Sequence, residues 1–381
     1  MLFNIFLATI VLQGDVMEVI LACDTGTSED KGAIMPLGSD FHPKRIISHS
    51  FPTLGKIGEF TALPGDHLGV LREPHPYQGV YKARAREFGA RLHRNSNIYN
   101  DPVYLLYVFG MVADLLEKAH ITEKQIDVMF AGFGFPVSHK EGQAGQLRST
   151  LLHRGKPWTV QKQDGRAYSV TFHNVVCETQ PYYMVVDQIF TWQPNGTLSA
   201  ERGKQIFANG PLLFGDLGSN SNDWEWVPLS LANSENACSM GGTFNFFPKL
   251  AKLAYEKTHQ DLTEYDLMYQ VFRKRQITLN GVTYDFSQEI PLLYQEAVKE
   301  LEGDIDLFLR TLKEKPQPYA MRLGGGGVIN GESYFRQIFS SKFPGGVQIV
   351  EDDHGKPAPV WSIVRGMVKK SVIEAQKAEV L

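Results

Sequence analysis

Little in this chain points to thiolate chemistry, disulfides or a nucleic-acid coat. Its three cysteines, Cys23, Cys177 and Cys238, lie far apart and without CxxC spacing. They make neither a zinc site nor a disulfide framework, and a reducing cytoplasm is the expected compartment. Eleven histidines are scattered without an HExxH pair, which removes the usual helix-borne zinc pattern. Lys and Arg number 38 against 42 Asp and Glu, a formal charge of -4, so the basic excess of a nucleic-acid-coating protein is missing. No internal repeat and no low-complexity tract occurs. The apolar start, Met1 to Leu12, is too short to span a bilayer and lacks a basic start, although its length fits the apolar region of a signal peptide. Met17 is the expected natural start, because the first good strand, Val19 to Cys23, follows at once.

What is present is ordinary globular chemistry. Hydrophobic residues make up 43% of the 381, enough for sizeable cores in two to three domains. Asp101-Pro102 opens a helix, with Asp as N-cap and Pro in the first turn. Val103, Leu106, Phe109, Val112 and Leu116 then recur at helical spacing. Ile126 to Phe133 is a near-continuous apolar run, the mark of a strand buried on both faces. A hairpin is expected around Asp164-Gly165 and another at Asn280-Gly281. Further helices are expected at Gln180 to Phe190, Phe246 to Lys257, Glu264 to Lys274, Ser287 to Leu312 and Ser362 to Lys377. Leu37 to Tyr99, rich in Gly, Pro and His, shows no regular period. The alternation of strands and helices elsewhere predicts α/β domains.

One chemical device occurs twice. An apolar strand runs into Asp24-Thr25-Gly26-Thr27-Ser28, with Lys31 soon after. Another, Pro211 to Phe214, runs into Asp216-Leu217-Gly218-Ser219-Asn220. Glycine lets the backbone approach an anion closely, and successive N–H groups in such a turn form an anion nest. Thr27, Ser28 and Ser219 add hydroxyl donors, and Lys31 adds a point charge for phosphate. Asp24 and Asp216 would repel phosphate unless a cation lay between, so both are candidate magnesium ligands. A third device, Gly324-Gly325-Gly326-Gly327, follows strand Tyr319 to Leu323 and permits close backbone contact with a bulky ligand. It is not a GxGxxG dinucleotide fingerprint. Two clusters read blandly: the basic residues from Lys249 to Arg275 as solvated helix faces, and Phe244, Phe246 and Phe247 as core. His139-Lys140 reads as a solvated loop.

In order and spacing, Asp24-x-Gly26 with Lys31, Asp216-x-Gly218 with Asp223, and the cluster at Gly324 resemble the phosphate-one, phosphate-two and adenosine motifs of the actin, sugar-kinase and heat-shock-chaperone superfamily. A closer resemblance is to bacterial ParM-type plasmid-segregation actins. Phe133-Gly134-Phe135-Pro136-Val137-Ser138 is similar to that family's Gly-Leu-Pro-Val-Ser segment, with Phe135 in place of leucine. Val175 to Pro181 resembles the stretch that bears the family's catalytic glutamate, and Pro357 to Gly366 its closing segment.

The resemblance implies a two-lobed actin-like α/β fold, a duplicated ribonuclease H-like unit with a nucleotide cleft between lobes. Lobe I is expected over 17–202 plus 356–381, with an irregular subdomain over about 37–99. Lobe II is expected over 203–355. ATP and Mg2+ are the implied cofactors. Asp24, Gly26, Thr27, Ser28, Lys31, Gly218, Ser219, Asn220, Gly324, Gly325 and Gly326 are the implied nucleotide contacts. Asp24 and Asp216 are the implied metal ligands, and Glu178 with Asp216 the catalytic residues. A carboxylate near the γ-phosphate can orient or deprotonate the attacking water. The implied activity is ATP hydrolysis coupled to head-to-tail filament assembly and plasmid segregation in the cytoplasm. The implied partners are copies of the chain and a DNA-bound adaptor, without direct nucleic-acid or membrane binding. Two rival readings use the same fold: a metabolite kinase, and a membrane-associated scaffold actin.

Overall fold

A computed structural model describes residues 16–26, 29–38, 46–53, 55–57, 67–71, 77–81, 101–162, 164–228, 236–312 and 315–378. The first half runs β1 (Val16–Thr25), β2 (Glu29–Pro36), β3 (Ile47–Pro52), β4 (Gly55–Ile57), β5 (His67–Leu71), β6 (Tyr77–Tyr81), α1 (Pro102–Lys118), β7 (Gln125–Phe135), α2 (Lys140–Leu152), β8 (Trp158–Lys162), β9 (Ala167–Phe172), β10 (Val175–Thr179) and α3 (Gln180–Ile189). A ribbon of β11 (Thr191–Trp192) and β12 (Leu198–Ser199) and the short α4 (Glu201–Ile206) lead into the second half. There follow β13 (Leu212–Leu217), β14 (Ser221–Val227), β15 (Ala237–Gly241), α5 (Phe247–Thr258), a π-helical segment Asp266–Arg273, the hairpin β16 (Gln276–Leu279) and β17 (Val282–Asp285), and α6 (Glu289–Thr311). The chain closes with β18 (Ala320–Gly324), α7 (Val328–Phe339), β19 (Val347–Ile349) and α8 (Ser362–Lys377).

The two halves share one topology. In the first, β3, β2 and β1 pair antiparallel, and β7 and then β10 extend the sheet parallel to β1. In the second, β15, β14 and β13 pair antiparallel, and β18 and then β19 extend it parallel to β13. The order 3-2-1-4-5 thus occurs twice. The first sheet grows further, because the N-terminal half of β7 pairs with β9 and leads through β8 to β5, β6 and β4. Several of these strands fall within the Leu37 to Tyr99 stretch, where the sequence shows no period. They are short and interrupted by Gly, His and Pro, so alternation never runs long enough to register.

Central strands are buried on both faces, and their alternate residues feed different cores. Val19, Leu21 and Cys23 of β1 face the core built on α1, while Ile20 and Ala22 join Met367, Val368 and Val372 of α8. Leu213 and Leu217 of β13 face the core of α5 and α6, while Leu212 and Phe214 join Met184 and Val185 of α3. Each connecting helix therefore crosses over: α3 covers the second sheet and α8 returns to cover the first. The cap at Asp101 forms as its sequence predicts, accepting the Val103 N–H at 3.0 Å. Among the described residues, no helix is long and apolar enough to cross a membrane.

Candidate functional site

The carboxyl ends of β1, β7, β10, β13 and β18 converge on one cleft of about 280 Å3. In open α/β sheets, this is where ligands bind. The helices that leave these strands also begin here. Gln180 opens α3, Gly327 precedes α7, and Val360 and Ile363 flank the start of α8; all four line the cleft. Converging helix N-termini carry partial positive charge and unpaired N–H groups, a setting suited to polyphosphate.

The two Asp-x-Gly devices are equivalent hairpins on facing walls. In the first, Asp24 lies opposite Lys31 across β1 and β2; in the second, Asp216 lies opposite Asp223 across β13 and β14. A Cβ on Gly26 would stand 2.7 Å from the Glu29 carbonyl oxygen, and one on Gly218 would stand 2.5 Å from that of Ser221. Only glycine lets either hairpin close. Asp24 is buried, 3.6 Å from the Lys31 ammonium, and accepts a hydrogen bond at 2.9 Å from the Gln180 amide. Asp216 is buried as well. Burial first, then the charges of Asp24 and Asp223, push its carboxyl up to about 8, against the opposing pull of Lys31. Two buried carboxylates close enough to feel one another are a site short of positive charge.

Gly325 adopts a φ of +84°, and a Cβ there would stand 2.4 Å from the Asp216 carboxylate. The glycine turn after β18 thus lies directly against the second hairpin, and Gly326 faces open space. Met268, Phe272, Val360 and Ile329 add apolar side chains to the lining of the cleft. Ile329 is 69% exposed, an apolar surface in the cleft that a flat ring could cover. Arg273 lies beside it, 4.7 Å over the Tyr269 ring and 3.4 Å from Glu29 on the opposite wall.

Most of the expected contacts meet here. Asp24, Gly26, Lys31, Asp216, Gly218, Ser219, Asn220, Gly325 and Gly326 all line the cleft. Thr27 and Ser28 lie outside the described residues. Gly324 departs from its expected role: as the last residue of β18 it sits under the crossing helices, where a Cβ would meet the Met184 sulfur and the Ser362 hydroxyl. It serves helix packing and does not line the cleft. Glu178 is the penultimate residue of β10 and is not among the lining residues; its carboxylate forms an ion pair with Lys140, the first residue of α2. His139, expected in a solvated loop, lines the cleft, and burial holds its imidazole below the ordinary range against the pull of Asp223. Arg273, grouped by sequence with solvated charges, also lines it. Gln180 was legible only as the start of a helix, and nothing local marks it as the partner of Asp24.

No protein-family model and no curated protein matches the chain. Solved structures do. Actin-like protein Alp7A superposes with a TM-score of 0.70 at 13% identity, over 96% of this chain and 98% of its own. An archaeal actin homolog, Ta0583, in complex with ADP matches with a TM-score of 0.66 at 16% identity, over 93% of this chain and 99% of its own. A Bacillus thuringiensis ParM with ATP matches with a TM-score of 0.66 at 13% identity, over 94% of this chain and 99% of its own. The chain therefore has the two-lobed actin-like fold, as its motifs imply.

Proposed function

We propose that the chain is an actin-like ATPase that binds Mg-ATP between its lobes, hydrolyses it, and assembles head to tail into filaments that segregate plasmid DNA. The observation that carries this reading is the pairing of Asp24 and Asp216 on facing strand ends of one cleft ringed by helix N-termini. The lobes that close on the nucleotide are 17–202 with 356–381, and 203–355. The fold likeness to structures described as ParM and Alp7A, one of them with ATP, supports the same reading.

Each group has a role in this account. Asp24 and Asp216 hold Mg2+, which is commonly bound by one or two carboxylates plus phosphate oxygens and water rather than by an all-protein cage. Among the described residues no larger metal-binding cluster occurs. The ion supplies charge neutralisation at the β- and γ-phosphates. Lys31 and the hairpin N–H groups, with Thr27, Ser28, Ser219 and Asn220, bind the phosphate chain. Gly325 and Gly326 let the nucleoside lie close to the backbone, and Met268, Phe272 and Ile329 cover the base. Glu178, placed by its ion pair with Lys140, orients the attacking water as the cleft closes around it. Hydrolysis removes γ-phosphate contacts, loosens lobe closure and weakens subunit contacts, which in an open heterologous assembly means filament disassembly. A DNA-bound adaptor links filament ends to the plasmid in the cytoplasm.

Negative-stain microscopy and sedimentation of the purified chain with Mg-ATP test this reading. Filaments that form with Mg-ATP, and fail to form in Asp216→Ala, are expected. A chain that stays monomeric at high concentration with Mg-ATP would contradict it.

A further inference from the structure

We propose that Asp223 and Ser239 form a cross-lobe clamp that makes cleft closure and placement of the Lys140–Glu178 pair one event. This rests on Glu178 being the hydrolytic carboxylate. Asp223 on β14 is fully buried and accepts three hydrogen bonds. They come from the Val137 N–H at 2.9 Å, the Ser221 hydroxyl at 2.6 Å and the Ser239 hydroxyl. Ser239 is its register partner on β15, and the Ser239 oxygen in turn accepts the Ser138 N–H at 3.1 Å.

Val137 and Ser138 belong to the turn between β7 and α2 in the first lobe. Asp223 and Ser239 belong to adjacent strands of the second. Two successive main-chain N–H groups of one lobe are therefore held by two neighbouring side chains of the other. An ionised carboxylate is costly to bury unless its oxygens are bonded, and bonds to an ionised acceptor are stronger than neutral ones. Opening the lobes at this point would break both N–H bonds and leave Asp223 short of a partner.

The turn continues directly into the site. Pro136 and His139 line the cleft, and Lys140 holds the Glu178 carboxylate. Only His139 separates the clamped Ser138 from Lys140. Lobe II thus fixes the position of the ammonium that restrains Glu178, although neither Asp223 nor Ser239 touches Glu178. Both are positioning residues: they set the state of the lysine and, through it, the carboxylate.

The test uses the full chain, amide hydrogen exchange and steady-state phosphate release from Mg-ATP. In Asp223→Ala, exchange at Val137 and Ser138 should quicken about tenfold or more, and kcat should fall by a similar factor with KM for ATP little changed. Asp223→Asn should keep both, because its side-chain oxygen still accepts the Val137 N–H and the serine hydroxyls can turn to accept from its amide. Unchanged exchange in a folded Asp223→Ala overturns the clamp. If Asp223→Ala does not fold, Ser239→Ala carries the test: Ser138 alone should lose protection, and retained protection overturns the proposal. Faster amide exchange in a chain that never turns over ATP supports the clamp and refutes the ATPase reading. Turnover with no change in exchange supports the ATPase reading and refutes the clamp.

Discussion

Asp187 of α3 and Arg365 of α8 meet side by side, with the Arg365 Nε and Nη2 at 3.0 Å and 2.6 Å from the same carboxylate oxygen. Lys369, one turn on, donates to the other Asp187 oxygen at 2.8 Å and reaches Asp353 at 2.7 Å. Beside them Gln188 donates to the Glu351 carbonyl at 2.7 Å and accepts from Arg322 at 3.0 Å. These groups tie together α3, which covers the second sheet, and α8, which covers the first. Removing Asp187 takes one of its two carboxylate partners from the Lys369 ammonium, itself 1% exposed, and leaves it Asp353 and the Phe190 carbonyl. Asp187→Ala should therefore lose about 3–5 kcal/mol of stability, the usual penalty for breaking a buried ion pair from one side. Denaturant unfolding of the two proteins measures this.

Asp30 on β2 makes the opposite case. It is fully buried, and neither carboxylate oxygen has a hydrogen-bond partner among the described residues. The neighbouring Thr53 hydroxyl is given to the Gly26 carbonyl at 2.6 Å. Burial, above all, holds the Asp30 carboxyl well above its ordinary range against the pull of the nearby Thr53 hydroxyl, with Asp24 adding to the effect and Lys31 opposing it. The folded chain thus keeps a proton that the unfolded chain releases near pH ~4. Between that pH and the raised value the unfolded state binds fewer protons, so this group makes stability fall as pH rises. Asp30→Asn should match the wild type near pH ~4 and exceed it at neutral pH, because the amide has no proton to lose. Urea unfolding at the two pH values checks the sign.

The Glu29–Arg273 pair bridges the two walls of the cleft. It is partly exposed, so its own worth is at most about 1 kcal/mol. Arg273→Glu replaces attraction by repulsion and should speed release of a fluorescent ATP analogue several-fold. Adding Glu29→Arg should slow it again, and high salt should shrink both effects. Stopped-flow release at two salt concentrations reads this directly.

Glu178 and Lys140 give a separable prediction. Glu178→Gln should lower phosphate release about 100-fold or more while leaving the affinity for Mg-ATP intact, since the carboxylate acts on water and not on the nucleotide. Single-turnover phosphate release, set beside equilibrium binding, separates the two effects.

How much of this was legible depended on whether each signal was local. The apolar run before Asp24 and that before Asp216 mark β1 and β13, because a strand buried on both faces leaves a continuous hydrophobic stretch. Asp101-Pro102 marks α1 and Asn280-Gly281 marks the β16–β17 turn for equally local reasons. The second arm of each site hairpin was not legible. β2 begins Glu-Asp-Lys and β14 begins Ser-Asn-Asp, polar residues that read as loop. α2 escaped because its exposed polar residues leave only Ala144, Leu147 and Leu151 buried. At the site, Asp24, Lys31 and Asp216 were readable from motif chemistry. Asp223 was readable as part of the second motif, but its partner 86 residues away was not, and Gln180 and Arg273 acquire their roles only from partners 156 and 244 residues away, where no local pattern points.

Asp24 and Asp216 together should hold a divalent ion against a polyphosphate in this cleft. Equilibrium titration of a fluorescent ATP analogue, with Mg2+ and again with EDTA, tests it most directly. Mg2+ should tighten wild-type binding about tenfold or more. Asp24→Ala and Asp216→Ala should each erase that gain. Binding that is indifferent to Mg2+, or a magnesium gain that survives both substitutions, would contradict the account.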